Sequence, residues 1–127
     1  MSLRSWKKSF YRKEAINTTL QEALKHSITK WRGLLTANRK KHGLMGTAHL
    51  QDKSGAMFSV LSSTCALCVH YAMDGCVACP LYKIRGNYRC DRAATYVDTS
   101  PYTMYTNYGD AEPMLHWLEL AKGVPNA

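Results

Sequence analysis

CALCVHYAMDGCVACPLYKIRGNYRC, residues 65–90, holds all five cysteines of this 127-residue chain. Two pairs, Cys65/Cys68 and Cys76/Cys79, have the C-x2-C spacing that lets two thiolates converge on one ion. Ser62, Ser63 or Thr64 can cap a helix through CALCVHYAM, which sets Cys65 and Cys68 one turn apart on one face, with Asp74-Gly75 as its stop. The segment from Cys76 to Cys79 then reads as a tight knuckle closed by Pro80, followed by a helical turn LYKI to Gly86, with Cys90 arriving from a loop. A zinc ion held by four thiolates makes its binding free energy into folding free energy for a segment too short to bury a core of its own. The expectation is therefore a structural zinc site. Its preferred ligands are Cys65, Cys68, Cys76 and Cys79, with Cys90 the replacement for Cys76. The seven-residue gap between the pairs is shorter than in most zinc ribbons, so that fold is not inferred. His70 is near in sequence, but a single histidine on a helix reads as packed or solvated.

Other thiol chemistries fit less well. An iron–sulfur cluster also takes four thiolates, but the spacing departs from the ferredoxin run C-x2-C-x2-C-x3-C-P, which leaves it a second alternative. Nucleobase deaminases need H-x-E with P-C-x-x-C, and neither half is present. No Walker loop, dinucleotide fingerprint, zincin helix or hydrolase elbow occurs. Cys68 and His70 are neighbours that do not face each other on a helix, so no cysteine nucleophile is inferred. The chain reads as non-enzymatic, with no small-molecule substrate.

The length suits one domain with one modest core. The formal charge is +8, and four thiolates on one zinc would lower it to about +6. Residues 1–43 hold eleven Lys or Arg against two Glu, a net of +9, whereas residues 44–127 carry −1. Such asymmetry favours a polyanionic partner, because neutralised phosphates release counterions. Its ordinary structural reading is a solvated helix face. MSLRSWKKSF has no apolar run after its basic residues, so no secretory signal is expected. Residues 54–73 lack charge but contain four serines, a threonine, a histidine and two cysteines, too polar for a membrane span. A reduced compartment, the host cytoplasm, is expected, where clustered cysteines favour metal over disulfides.

Along the chain, residues 1–15 read as a basic arm whose Trp6, Phe10 and Tyr11 either dock on the domain or stay loose. Residues 16–127 form the domain. Thr18 or Thr19, with Gln21 or Glu22, can cap a helix carrying Ile16, Leu20, Ala23, Leu24, Ser27, Ile28, Trp31 and Leu35 at helical spacing, with Lys25, Lys30 and Arg32 on its other face. Thr36 can cap a short helix that ends at Gly43, where Arg39, Lys40 and Lys41 suit the helix dipole. Residues 43–56 read as a loop, with His49 solvated, and residues 57–61 as either a short strand or a helix lead-in. Tyr88, Tyr96, Tyr102, Tyr105 and Tyr108, among Arg85, Arg89 and Arg92, can stack bases or else cover a core poor in aliphatic residues. Ser100-Pro101 starts a helix. Asp110 caps a last one, with Met114, Leu115, Leu118 and Ala121 buried and Gly123 as its stop.

The blocks ITKWRGLLTANRKKHGL, CALC, GCVACPL, Cys90 and PMLHWLELAKG resemble small cysteine-rich proteins of bacteriophages and prophages, over scattered parts of residues 24–122. The resemblance implies a metal-stabilised accessory protein of viral origin and brings no catalytic residues. ANRKKHG stands where a more apolar and acidic turn is expected, which adds positive charge. The reading is a mainly helical domain of four or five short helices around a cysteine zinc knuckle. It binds nucleic acid through Lys7, Lys8, Lys25, Lys30, Arg32, Arg39, Lys40 and Lys41. The alternative is a factor that binds and modulates a host protein through anchors such as Trp6, Tyr102 or Tyr105.

Overall fold

Helix α2 (Ala23–Gly33) organises the chain, because residues 23, 27, 30, 31 and 34 put one continuous stripe of side chains inside. Its entrance is set by reciprocal bonds: Thr19 Oγ1 accepts from the Glu22 amide and Glu22 Oε1 accepts from the Thr19 amide. This is the expected capping box, placed one turn ahead of the first helical residue. The computed structural model describes residues 2–60, 62–71, 76, 78–91 and 100–123. It is mainly helical, a small single domain with seven α-helices and one two-stranded sheet among the described residues.

Helix α1 (Leu3–Phe10) lies in the expected arm, and of the two outcomes open to it docking is observed. Leu3 and Trp6 enter the core, and Trp6 Nε1 donates to the Gly33 carbonyl at 2.8 Å. Gly33 is required there: a Cβ on it would meet Phe10 Cγ at 2.5 Å. Helix α3 (Thr36–Lys41) follows and stops before Gly43, whose φ of 68° suits glycine.

Residues 43–56, expected to be a loop, contain strand β1 (His49–Gln51), which pairs antiparallel with β2 (Met57–Ser59). Leu50 opposes Phe58 and both are buried, so tertiary burial makes strands that three residues could not hold alone. Asp52 sets the turn: its Oδ1 accepts from the amides of Ser54 and Ala56, while Oδ2 accepts from the Leu3 amide and ties α1 to the hairpin.

Helix α4 (Ala66–Tyr71) follows a 3-10 turn over Ser62–Thr64. The expected stop at Asp74-Gly75 lies outside the described residues. Helix α5 (Pro80–Ile84) starts with proline at its first position. Helix α6 (Pro101–Tyr108) is capped by Ser100 Oγ, which accepts from the Thr103 amide, and ends at Gly109 in the left-handed region. Helix α7 (Glu112–Ala121) buries Met114, Leu118 and Ala121. Its cap position is Ala111, with Asp110 one residue earlier accepting from the Glu112 amide. The elements pack α1, α4 and α7 against α2, with α5 against α7. Among the described residues no helix is long and apolar enough to cross a membrane.

Candidate metal centre

All five cysteines line one cavity of about 20 Å³, together with Leu67, Leu81, Tyr82 and Arg89. That is about the space of one water-sized sphere. Cys65 and Cys68 come from the start of α4, Cys76 and Cys79 from the knuckle, and Cys90 from the chain beyond α5, so helix packing unites thiols spread over 26 residues. All five are free thiols.

Each sulfur is placed by local geometry. Cys76 has φ 68°, a left-handed conformation uncommon for a residue with a Cβ, and its carbonyl accepts from the Cys79 amide at 2.9 Å. Such strain is held where surrounding structure demands it, and here it turns the chain tightly enough to bring two sulfurs to one side. Cys79 stands ahead of α5, where the backbone amides of Tyr82 and Leu81 face its sulfur.

Protonation follows burial. Cys65 donates to Cys68, a bond that with burial raises the Cys65 thiol well above its ordinary value. Cys68 gains from the Cys65 bond, but its own donation to Cys90 and its burial push it up to about 12. Burial raises Cys76, and it pushes Cys79 to about 11 against the pull of the Tyr82 and Leu81 amides. Neutral thiols of this kind, Cys79 buried and the rest half-buried, are poor nucleophiles. A divalent ion reverses that preference, because a coordinating thiol loses its proton.

Among the described residues no group of three or more His, Cys, Asp or Glu side chains stands in metal-holding geometry. The cysteines therefore line the cavity without converging on one point. In donor identity, number and enclosure they suit a thiolate-bound ion, and zinc requires them to contract to Zn–S distances of about 2.3 Å. His70 is engaged elsewhere: Nε2 lies 3.1 Å from Thr18 Oγ1 and 2.8 Å from the Thr18 carbonyl, which joins α4 to the turn after α1.

A second cavity, of about 450 Å³, adjoins the cysteines; Ser27, Lys30, Trp31 and Tyr102 are among its lining residues. Lys30 was expected on a solvent-facing surface. It is instead 1% exposed, on the buried stripe of α2, with Nζ donating to the Thr64 carbonyl at 3.2 Å. Burial lowers its ammonium affinity for the proton, and the neighbouring Cys65, Cys68 and Cys90 oppose that. Its place on the helical stripe beside Ser27, Trp31 and Leu34 was the available signal, outweighed by the habit of putting lysine in water.

The other expected phosphate contacts divide. Arg39 is used inside the protein: Nε donates to the Leu34 carbonyl at 2.9 Å, Nη2 to the Gly109 carbonyl at 2.6 Å, and its guanidinium lies 5.5 Å from the Tyr105 ring. Arg32 pairs with Glu119 at 2.7 Å, and Lys7 lies over the Phe58 ring. Lys8, Lys25, Lys40 and Lys41 are exposed. Ser5 Oγ is 2.8 Å from His42 Nδ1, which brings α1 beside the end of α3 and so groups Lys8 with Lys40 and Lys41. Arg4, absent from the sequence-based set, is exposed on the same helix.

The aromatic anchors are also taken. Trp6 and Tyr105 are fully buried, Tyr105 donating to the Thr47 carbonyl and Tyr102 to the Val60 carbonyl. These tyrosines cover the core; Tyr96 and Arg92 lie outside the described residues. No protein-family model matches the chain, and neither a curated protein nor a solved structure matches it.

Proposed function

We propose that this is a non-enzymatic, zinc-stabilised accessory protein of phage type that binds nucleic acid through its basic N-terminal half. The observation that carries the reading is the gathering of five thiols from three segments around a cavity the size of one ion. Zinc bound there holds α4, the knuckle, α5 and the chain after it together, a structural use of metal that leaves no open coordination position for chemistry. The phosphate surface is narrower than the charge count suggests. It comprises Arg4 and Lys8 of α1 with Lys40 and Lys41 of α3, none of which has a carboxylate partner among the described residues.

Two measurements test it. Elemental analysis of protein purified without added metal is expected to give one zinc per chain; iron with a brown colour would replace zinc by an iron–sulfur cluster. Binding of a duplex DNA probe, titrated with salt, is expected to weaken steeply. The combined Lys40→Glu and Lys41→Glu variant should reduce the slope by about 0.9 for each lost phosphate contact. A salt-insensitive result refutes the nucleic-acid half.

A second reading, a factor that binds and modulates a host protein, draws on Met45 and Met57. They are 69% and 61% exposed and flank Gln51 across the hairpin. Paired exposed methionines suit an adaptable apolar contact. Pulldown from nuclease-treated lysate separates the readings, since only this one retains its partner.

A further inference from the structure

The buried amine of Lys30 has a role that rests on the zinc reading above: we infer that it is the counter-cation of the thiolate centre. A tetrathiolate zinc site carries a net charge of −2, costly to bury without compensation. Lys30 projects from α2 into the larger cavity, whose wall it shares with Cys65, Cys68, Cys76 and Cys90. Among the described residues its Nζ has one hydrogen bond, to the carbonyl of Thr64, the residue immediately before Cys65. That bond fixes the ammonium beside the first ligand segment and leaves it two further N–H groups.

Among the described residues no carboxylate is paired with it. Asp91 lines the same cavity but is exposed and paired with Arg89 at 3.2 Å. Arg89 itself lines the cavity from its exposed side, and the hydroxyls of Ser27 and Tyr102 also belong to that wall. Ser27 Oγ has no hydrogen-bond partner among the described residues, and Tyr102 Oη is committed to the Val60 carbonyl. The face of Trp31 lies 5.6 Å from Nζ and adds attraction without charge. Two cations border the thiols: Arg89, which is exposed and already paired with Asp91, and Lys30, which is buried and has no paired carboxylate among the described residues. Lys30 is a positioning and charge-balancing residue that makes metal affinity and the packing of α2 against α4 depend on one another.

The test is a zinc competition against a chromophoric chelator, comparing the full-length wild type with Lys30→Gln and Lys30→Arg. Glutamine keeps a donor for the Thr64 carbonyl and loses the charge; arginine keeps the charge. The expected result is a loss of zinc affinity of about tenfold or more for K30Q, and a change within about threefold for K30R, as for other outer-shell partners of a metal. Equal affinities for K30Q and the wild type overturn the inference, as do equal losses for K30Q and K30R, which would show that shape matters and charge does not. Should K30Q stay unfolded in excess zinc, folding of K30R under the same conditions supports the charge role, and its failure to fold refutes it. A wild type that binds no zinc at all overturns the metal reading itself, a result distinct from any of these.

Discussion

The core around Trp6 and the cavity around the cysteines share helix α2 yet close by different means. The first is shut by shape and saturated polar groups. Trp6 is fully buried against Phe58, its ring nitrogen bonded to Gly33, and Asp52 ties the start of α1 to the hairpin. The second brings together thiols, a buried ammonium and the Ser27 hydroxyl, which has no partner among the described residues, around open space. Aromatic burial is satisfied by any apolar neighbour of suitable shape, whereas a buried ammonium demands acceptors or a counter-charge. One region is thus closed by its own side chains, whereas the other leaves thiols and an ammonium around a cavity.

The sharpest way to break this contrast is to remove a ligand. Cys79→Ser should abolish bound zinc and cost on the order of 5 kcal/mol or more, since metal binding is folding energy for this segment. Hydrogen exchange should report the loss in α4 and α5 while α1 and the hairpin stay protected. Unchanged metal content and Tm would end the zinc reading. Next in size, Trp6→Ala should cost about 3–5 kcal/mol in urea denaturation, by the same amount with and without chelator. A zinc-dependent cost would mean that the two regions are one energetic unit.

Gly33→Ala tests the close approach of α1 to α2. The added Cβ would meet Phe10 Cγ at 2.5 Å, a strain of about 1–3 kcal/mol. Phe10→Ala in the same chain should relieve much of it, which a denaturation double-mutant cycle would show. Ser100→Ala, removing the cap of α6, should cost about 1 kcal/mol by the same assay.

The smallest effect near neutral pH belongs to Asp52. Hydrogen bonds to its carboxylate, first from Ser54 and then from the Leu3 amide, hold it below the ordinary aspartate value. A depressed folded value means that its contribution is present above the unfolded value and disappears as pH falls through the folded one. The stability difference between the wild type and Asp52→Asn should therefore shrink below pH about 3.8, measured as paired urea midpoints. A difference independent of pH would assign Asp52 a purely geometric role.

Several features were legible without coordinates because they depend on neighbours in sequence. These include the Thr19/Glu22 box, proline opening α5 and α6, the stop at Gly43, and the helical pitch of Cys65 and Cys68. The hairpin was not, since three-residue strands exist only where Leu50 and Phe58 find a core. Nor was the fate of the cations. Arg39 and Lys30 look alike on paper, yet one ties the carbonyls of Leu34, Gly46 and Gly109 together through its planar donors and the other is sealed beside the thiols.

The chain's own chemistry thus determined a mainly helical protein with two thiol pairs and a positive N-terminal half, because spacing, caps and charge are local or additive properties. Tertiary structure alone decided that Cys90 joins both pairs at one cavity, that α1 belongs to the core, and that Lys30 faces sulfur and not solvent. Those outcomes depend on which surfaces meet when α4 and α7 pack on α2, and long-range packing leaves no periodic mark in the sequence.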